Sequence, residues 1–319
     1  MAFSGREYVR EKMPIIGFGT YQGFQIRNEK VLYDVVDAAL SCGYRFFDTA
    51  QIYGNEAALG RIFKELLPKY ELERCEPNSD TDYREGITNS NSNPNFPRTS
   101  SDIFITTKVS PANQGTELAK KSVLKSLANL QIDYIDLMLI HWPGISKLPV
   151  GDSRNFDGRR QTYEVLEEFH GSGELRAIGV SNYEIRHLEQ LLTHCTVHPA
   201  VNQVEFHPHF HQLDLLEFCK VHDIHFQAYS SLGGPDYRDE LFNDPVIQEM
   251  AKKYQLSTAQ FLLAWTTSQS ISVLPRTTQR QRVIENFAAK DVMVTNADVQ
   301  KLLNNRKHNK ACWDPTDVT

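Results

Sequence analysis

Asp48 and Tyr53 stand close together in FFDTAQIYGNE (Phe46–Glu56), where an apolar strand pattern gives way to a helical one. An Asp at a strand end is ordinarily a cap, and a Tyr is ordinarily a packed aromatic with its hydroxyl satisfied. The other reading is that carboxylate and phenol face one cavity and do acid–base chemistry. The stretch alone leaves both open, so partners elsewhere must decide. Lys108 ends ITTK, His141 stands in LIHWP, and Ser181 and Asn182 close IGVSN. Gln203 lies in VNQVEF, Tyr229, Ser230 and Ser231 end QAYSS, and Arg276, Thr277 and Thr278 follow ISVLP. Taken singly, each has an ordinary role as a cap or a surface cation. Taken together, a Lys and a His at the ends of buried strands cost free energy unless they pair with the Asp and the Tyr.

The elements that must hold these residues alternate along the chain. Short β-like runs (YRFFDTA, SDIFITTKV, YIDLMLIHWP, LRAIGVSN, PAVNQVEFHP) are each followed by a segment with apolar residues at helical spacing. Eight β-then-α units fit a closed (β/α)8 barrel better than a doubly wound sheet, which usually stops at fewer strands. In such a barrel the loops after the strand ends carry the chemistry, and every residue named above falls there. A single α/β domain over 1–319 is expected. One stretch breaks the rhythm: 74–101, rich in Asn, Ser, Pro and charge, reads as a hydrophilic surface insertion between the second helix and the third strand.

Bulk properties exclude several partners. Lys and Arg number 34 against 40 Asp and Glu, a net charge of −6, so no global field gathers nucleic acid or anionic membrane. No apolar run is long enough to span a bilayer, and MAFSGREYVREKMP lacks a signal-peptide core. Five scattered cysteines form no C-x-x-C pair, hence neither a disulfide framework nor a zinc site. A reduced, cytoplasmic protein is expected, acting as a monomer on a small molecule.

The successive stretches GFGTY, FFDTAQIYGNE, ITTKV, LIHWP, IGVSNY, VNQVEFHP, AYSSLG and LPRTTQRQRVIENF resemble the signatures of the aldo-keto reductases, in the family's order, from about Pro14 to Trp313. The resemblance implies NADPH-dependent reduction of a carbonyl, with Tyr53 as proton donor and Lys108, Asp48 and His141 as its partners. The chemistry suits those residue types. A free Tyr is a poor acid near neutrality, a close ammonium stabilises its phenolate, and an Asp orients the desolvated Lys. His141 would hydrogen-bond the carbonyl oxygen. The resemblance further implies that Ser181, Asn182 and Gln203 hold the nicotinamide carboxamide while Tyr229 stacks on its ring. Ser230, Ser231, Leu232 and Gly234 would cover the pyrophosphate, with Thr20 and Tyr21 also against the cofactor. Arg276, Thr277, Thr278 and Arg282 crowd a helix N-terminus, which favours an anion such as the 2′-phosphate of NADP. Glu285 and Asn286 would contact adenine.

Around the substrate the resemblance implies Tyr21, Ile52, Ser110 and Trp142. Ser110 stands where an indole is common in the family, and the tail 309–319 is brief and polar, so an open pocket for varied small carbonyls is expected. Three motifs are set aside. GFGTYQG has its third glycine one residue late for a Rossmann fingerprint. FHPHFH reads as loop histidines rather than metal ligands, and no metal is expected. Gln279–Arg282 alone is an unremarkable charge run. Two other functions compete: a non-catalytic or redox-sensing subunit on the same fold, and a metal-dependent barrel hydrolase, which the lack of paired His and carboxylate ligands disfavours.

Overall fold

Among the described residues eight strands run parallel in the order β1 to β8, each beside its sequence neighbour. They are β1 (Phe18–Gly19), β2 (Phe46–Asp48), β3 (Phe104–Val109), β4 (Ile135–Ile140), β5 (Leu175–Ser181), β6 (Val201–Glu205), β7 (His225–Tyr229) and β8 (Ser272–Val273). The ends of the sheet meet. Ile16 bridges Val273 in parallel, and the amides of Gly17 and Gly19 donate to Val273 O and Pro275 O at 2.9 and 3.0 Å. This computed structural model describes residues 4–21, 23, 28–74, 103–304 and 307–319. The (β/α)8 barrel expected from the alternation is the fold observed.

Helices fill the connections: α2 (Glu29–Cys42), α3 (Glu56–Lys69), α4 (Thr116–Leu130), α5 (Arg154–Ser172), α6 (Ile185–Leu192), α7 (Leu213–Val221), α10 (Thr258–Thr267), α11 (Arg280–Ala288) and α12 (Asn296–Leu303). Their local logic is visible in α2. Asn28 accepts from Lys30 N and Val31 N, Leu32, Val35, Val36, Ala39 and Leu40 share the buried stripe, and Gly43 closes the helix at φ 108°. Truncating a side chain such as Leu40 to Ala removes about 2–5 kcal/mol of that packing.

Three helices fall outside the expected units: α1 (Gly5–Lys12), α8 (Gly234–Phe242) and α9 (Pro245–Lys253). α1 closes the bottom of the barrel, with Val9 in its core and Tyr8 donating to Asp136 Oδ1 at 2.7 Å. The expected insertion at 74–101 lies outside the described residues except for Arg74, and there the reading is corrected. Arg74 is half-buried, ion-paired to Asp136 at 2.8 Å, and donates to the carbonyls of Ile103 and Tyr134. Among the described residues no helix is long and apolar enough to cross a membrane.

The period of two along each strand divides the barrel. Phe47, Ile105, Met138, Ile140, Ile178, Val180 and Val204 pack outward with the helices. Phe46, Phe104, Leu137, Leu139, Ala177 and Val201 form a separate inner cluster with Val9. Continuing inward by twos, Phe46 leads to Asp48, Phe104 to Lys108, Leu139 to His141, Ala177 to Ser181, Val201 to Gln203 and Glu205, and Gln227 to Tyr229. The interior is apolar at the bottom and polar at the C-terminal mouth. Gly179 sits on the inner face because a Cβ there would stand 2.5 Å from Val201 O and 3.0 Å from Leu139 Cδ2.

Candidate active site

Lys108 is fully buried at the tip of β3. Its ammonium donates to both carboxylate oxygens of Asp48 at 2.6 and 2.7 Å and to Thr49 O at 2.9 Å. The Tyr53 hydroxyl lies 3.5 Å from Nζ, and the ammonium also sits 5.1 Å from the centre of the Tyr53 ring. His141, at the end of β4, stands edge-on to Tyr53 at 5.8 Å between ring centres. Asp48, Tyr53, Lys108 and His141 thus converge, as their strand-end positions require.

Burial sets the protonation states. It pulls the Lys108 ammonium below its usual range, opposed by Asp48. It holds His141 well below the usual imidazole range, assisted by the Lys108 charge, so the ring is neutral. Burial, and then the Asp48 carboxylate, push the Tyr53 phenol well above its usual range. The expected lowering of Tyr53 by Lys108 is therefore corrected for the protein by itself. Lys108 directs its short hydrogen bonds to Asp48 and Thr49, and its approach to the phenol is long.

The expected nicotinamide residues form one hydrogen-bonded chain. Tyr229 donates to Asn182 Oδ1 at 2.6 Å, Asn182 Nδ2 donates to His141 O at 2.9 Å and Ser181 Oγ at 3.1 Å, and Ser181 Oγ donates to Gln203 O at 2.7 Å. Gln203 Nε2 is engaged by Asp48 at 2.9 Å and Gln227 at 2.7 Å, which leaves its Oε1 for a ligand. Thr20 donates to Asp48 O at 2.9 Å, and the Tyr21 ring lies 4.9 Å from that of Tyr53. Among the described residues Ser231 Oγ and His141 Nδ1 are buried at this mouth without a hydrogen-bond partner, which fits polar atoms that a bound cofactor or substrate would satisfy. Leu232 packs against the core, and Gly233 and Gly234, at φ 83° and 64°, turn the chain into α8. Gly234 is therefore the first residue of a helix, a correction to the loop expected from Ser230 to Gly234.

The expected phosphate end is built differently. Gln279 precedes α11 without a side-chain cap, so the first amides of the helix are open to an anion. Thr277 Oγ1 accepts from Gln279 N at 3.0 Å. Arg276 and Arg282 are exposed, as is Thr278, and Arg276 holds Tyr21 O at 3.2 Å. Arg280 is paired with Asp37 at 3.2 Å. Glu285 accepts from Gln281 at 3.3 Å, and Asn286 is buried.

Trp142, next to His141, helps wall a cavity of about 360 Å³ together with Pro111, Ile145, Leu148, Trp313 and Val318; Asp48, Tyr53, Lys108 and His141 do not line it. Trp142 stacks on His141 at 6.3 Å and meets Trp313 edge-on at 5.1 Å. Ser110 is buried, caps the 3-10 turn Pro111–Asn113 and carries no bulk into the site, while Ile52 is half-buried on the turn bearing Tyr53. The brief, polar tail is fastened to the barrel. Glu205 accepts from the amides of Ala311 and Cys312 at 2.6 and 2.9 Å, and Arg159 and His187 hold Thr319 O and Val318 O at 2.6 and 2.8 Å. The tail supplies an indole wall of its own through Trp313. The histidines of FHPHFH lie in the turn after β6. His207 and His209 are buried and bonded to Glu205 and Asp244 at 3.0 and 2.9 Å. Among the described residues no three His, Cys, Asp or Glu side chains group as metal ligands.

The roles of Glu205 and Trp313 escaped the sequence reading, although an acid at the inward parity of β6 signals that something must satisfy it. Comparison with known proteins agrees with the geometry. The Aldo/keto reductase family pattern matches residues 15–304. The glyoxal reductase of Bacillus subtilis (strain 168) is 33% identical over 291 residues, covering 91% of this chain and 88% of that protein. Aldose reductase C of Dictyostelium discoideum is 31% identical over 305 residues, covering 91% and 85%. The crystal structure of an aldo-keto reductase from a Medee basin deep-sea metagenome library superposes with a TM-score of 0.78 at 30% identity over 97% of both chains. With the strand-end cluster and the barrel, these matches establish that the chain belongs to the aldo/keto reductase family, oxidoreductases that act on carbonyl compounds with nicotinamide cofactors.

Proposed function

We propose that the protein is an NADPH-dependent reductase of aldehydes and ketones in which Tyr53 delivers the proton. The observation that carries this reading is the buried Lys108, paired with Asp48 at 2.6 Å and facing the Tyr53 hydroxyl. A lysine buried and paired in this way is a weak device for stability alone, because desolvation offsets most of the attraction. When bound, NADPH supplies a hydride to the carbonyl carbon. Tyr53, protonated across the neutral range, gives its proton to the carbonyl oxygen. The phenolate that forms is met by the Lys108 ammonium, and Asp48 keeps that ammonium charged and aimed. Neutral His141 hydrogen-bonds the carbonyl oxygen and orients it, with Trp142 stacked behind its ring.

Ser181, Asn182 and Gln203 fit the carboxamide, Tyr229 the nicotinamide ring, and Thr20 and Tyr21 its edge. Ser230, Ser231, Leu232 and Gly234 fit the pyrophosphate. Arg276, Thr277, Thr278 and Arg282 at the start of α11 fit the 2′-phosphate, with Glu285 and Asn286 beside adenine. Tyr21, Ile52, Ser110 and Trp142, joined by Trp313, wall a substrate site for small aliphatic and aromatic aldehydes and α-dicarbonyls. The similarity to a glyoxal reductase favours the last class. Steady-state NADPH oxidation with a panel of aldehydes, ketones, α-dicarbonyls and sugars tests the proposal. Turnover with small aldehydes and dicarbonyls is expected. NADPH binding without turnover across the panel would favour the redox-sensing subunit instead.

A further inference from the structure

Tyr53 has a weak hold on its own hydroxyl. Its one hydrogen bond among the described residues is the 3.5 Å approach of Lys108, too long to fix a phenol. Its position must come from the short 3-10 turn Gln51–Tyr53 that carries it. That turn is fastened at both ends. Behind it, Asn55 accepts from Thr49 Oγ1 at 2.6 Å and donates to Thr20 O at 2.9 Å. In front, the Gln51 amide is saturated. Its Oε1 accepts from Ser110 N at 3.1 Å, Asn113 Nδ2 at 3.1 Å and Ser122 Oγ at 3.0 Å. Its Nε2 donates to Ser122 O at 3.1 Å and Ser126 Oγ at 3.0 Å. Backbone partners fix the orientation of the amide, because only Oε1 can face the Ser110 N–H and only Nε2 can face the Ser122 carbonyl.

We infer that Gln51 is a positioning residue that ties the turn bearing Tyr53 to the loop after β3 and to the buried face of α4. One of the groups it joins bears directly on the site: Ser110 follows β3, the strand that carries Lys108. One amide therefore sets the distance between the proton donor and the Lys108 strand. Gln51 acts through Tyr53 rather than on the carbonyl or the cofactor. The inference rests on the reading of Tyr53 as the proton donor.

The test is a double-mutant cycle on single-turnover reduction with NADPH already bound. Gln51→Met keeps the length of the side chain and removes its hydrogen bonds. In the enzyme with Tyr53 it should slow reduction by about tenfold to a hundredfold, the range seen when a reacting group is misplaced by a fraction of an ångström or more. NADPH affinity, followed by fluorescence, and the KM for aldehyde should stay within about twofold. In the Tyr53→Phe background the same substitution should have almost no further effect, since the group it positions is gone. An equal slowing in both backgrounds overturns the inference and makes Gln51 a general structural support. An unchanged rate with Tyr53 present also overturns it. If Tyr53→Phe by itself reduces carbonyls at a near-normal rate, the proton-donor reading falls, and this inference with it. Should Gln51→Met fold poorly, Ser126→Ala removes one of the hydrogen bonds at little cost in volume. It should give a smaller loss, about twofold to fivefold, confined to the Tyr53 background. A loss in both backgrounds, or in neither, counts against the proposal.

Discussion

The two ends of the proposed cofactor site are built on opposite principles. At the strand ends, Asp48, Lys108, His141, Ser181, Asn182 and Gln203 are buried and joined to one another by hydrogen bonds. At the start of α11, Arg276 and Arg282 lie exposed beside a helix whose first turn has no side-chain cap. A buried network is interdependent, because removing one member strands the others away from water. An exposed cationic patch is additive, screened by salt and tolerant of loss. The reaction end should therefore fail all at once, and the recognition end by degrees.

The sharpest way to break this contrast is at Lys108. Lys108→Met leaves the Asp48 carboxylate buried with only Gln203 as a side-chain donor, so it should lower both stability and turnover. A loss of about 3 kcal/mol or more in urea unfolding is expected, together with at least about a hundredfold in kcat. Tyr53→Phe should match that loss of turnover and leave the urea midpoint nearly unchanged, since no short hydrogen bond is lost. If Lys108→Met unfolds at the same urea concentration as the parent, the strand-end cluster is not interdependent.

Next in size are the arginines. Arg276→Ala and Arg282→Ala should each weaken NADPH by about tenfold or more, the worth of one charge-assisted hydrogen bond, and leave NADH nearly unchanged. Raising the salt concentration should shrink both effects, because the groups are exposed. Equal losses for the two cofactors, or losses that resist salt, would place these side chains elsewhere than on a 2′-phosphate.

Much of the reaction end was legible in the sequence, because strands of period two must aim alternate residues inward and a barrel collects polar residues at one mouth. Asp48, Lys108, His141 and Gln203 follow from that rule, given the strand ends. Other features had no such rule. α1 carries few apolar residues and is recognised by its capping box, and α8 begins at a Gly-Gly pair that reads as a loop. The tail is polar in composition and is fixed by backbone groups, which sequence does not display: Glu205 takes the amides of Ala311 and Cys312, and Arg159, Arg186 and His187 take carbonyls. Gln51 was hidden for a related reason. Its partners Ser122 and Ser126 stand four apart on the buried side of α4, a signal visible only once the face of that helix is known.

Trp313 is a smaller test, one that asks whether the tail belongs with the rigid end. Trp313→Ala removes the indole that meets Trp142. Small aliphatic aldehydes should be reduced as before, while kcat/KM for aromatic aldehydes should fall by several-fold, about what a lost apolar contact costs a substrate that fills the cavity. No change for either class would show that the tail lies outside the substrate path.

The smallest effect is expected at His187, and it appears only with pH. Its Nδ1 accepts from Glu184 N at 3.1 Å, so the proton sits on Nε2, which donates to Val318 O at 2.8 Å. A second proton would turn Nδ1 into a donor facing another donor. Burial pulls this imidazole down to about 4, while in the unfolded chain it titrates near ~6.5. At neutral pH both states are unprotonated and the group contributes nothing. As pH falls below the unfolded value the unfolded chain takes up the proton first, and stability is lost until the folded value is reached. The loss is on the order of 2 kcal/mol by about pH 5, or about 3 °C in Tm for a chain of this length. His225, also held at about 4 by burial, should add a loss of its own. His187→Gln can still donate to Val318 O but cannot titrate, so its drop in Tm between about pH 7 and pH 5 should be smaller than the parent's by that amount. If the two proteins lose the same Tm over that interval, His187 is not what ties the tail to pH, and the buried end of the molecule has less hold on the tail than its hydrogen bonds imply.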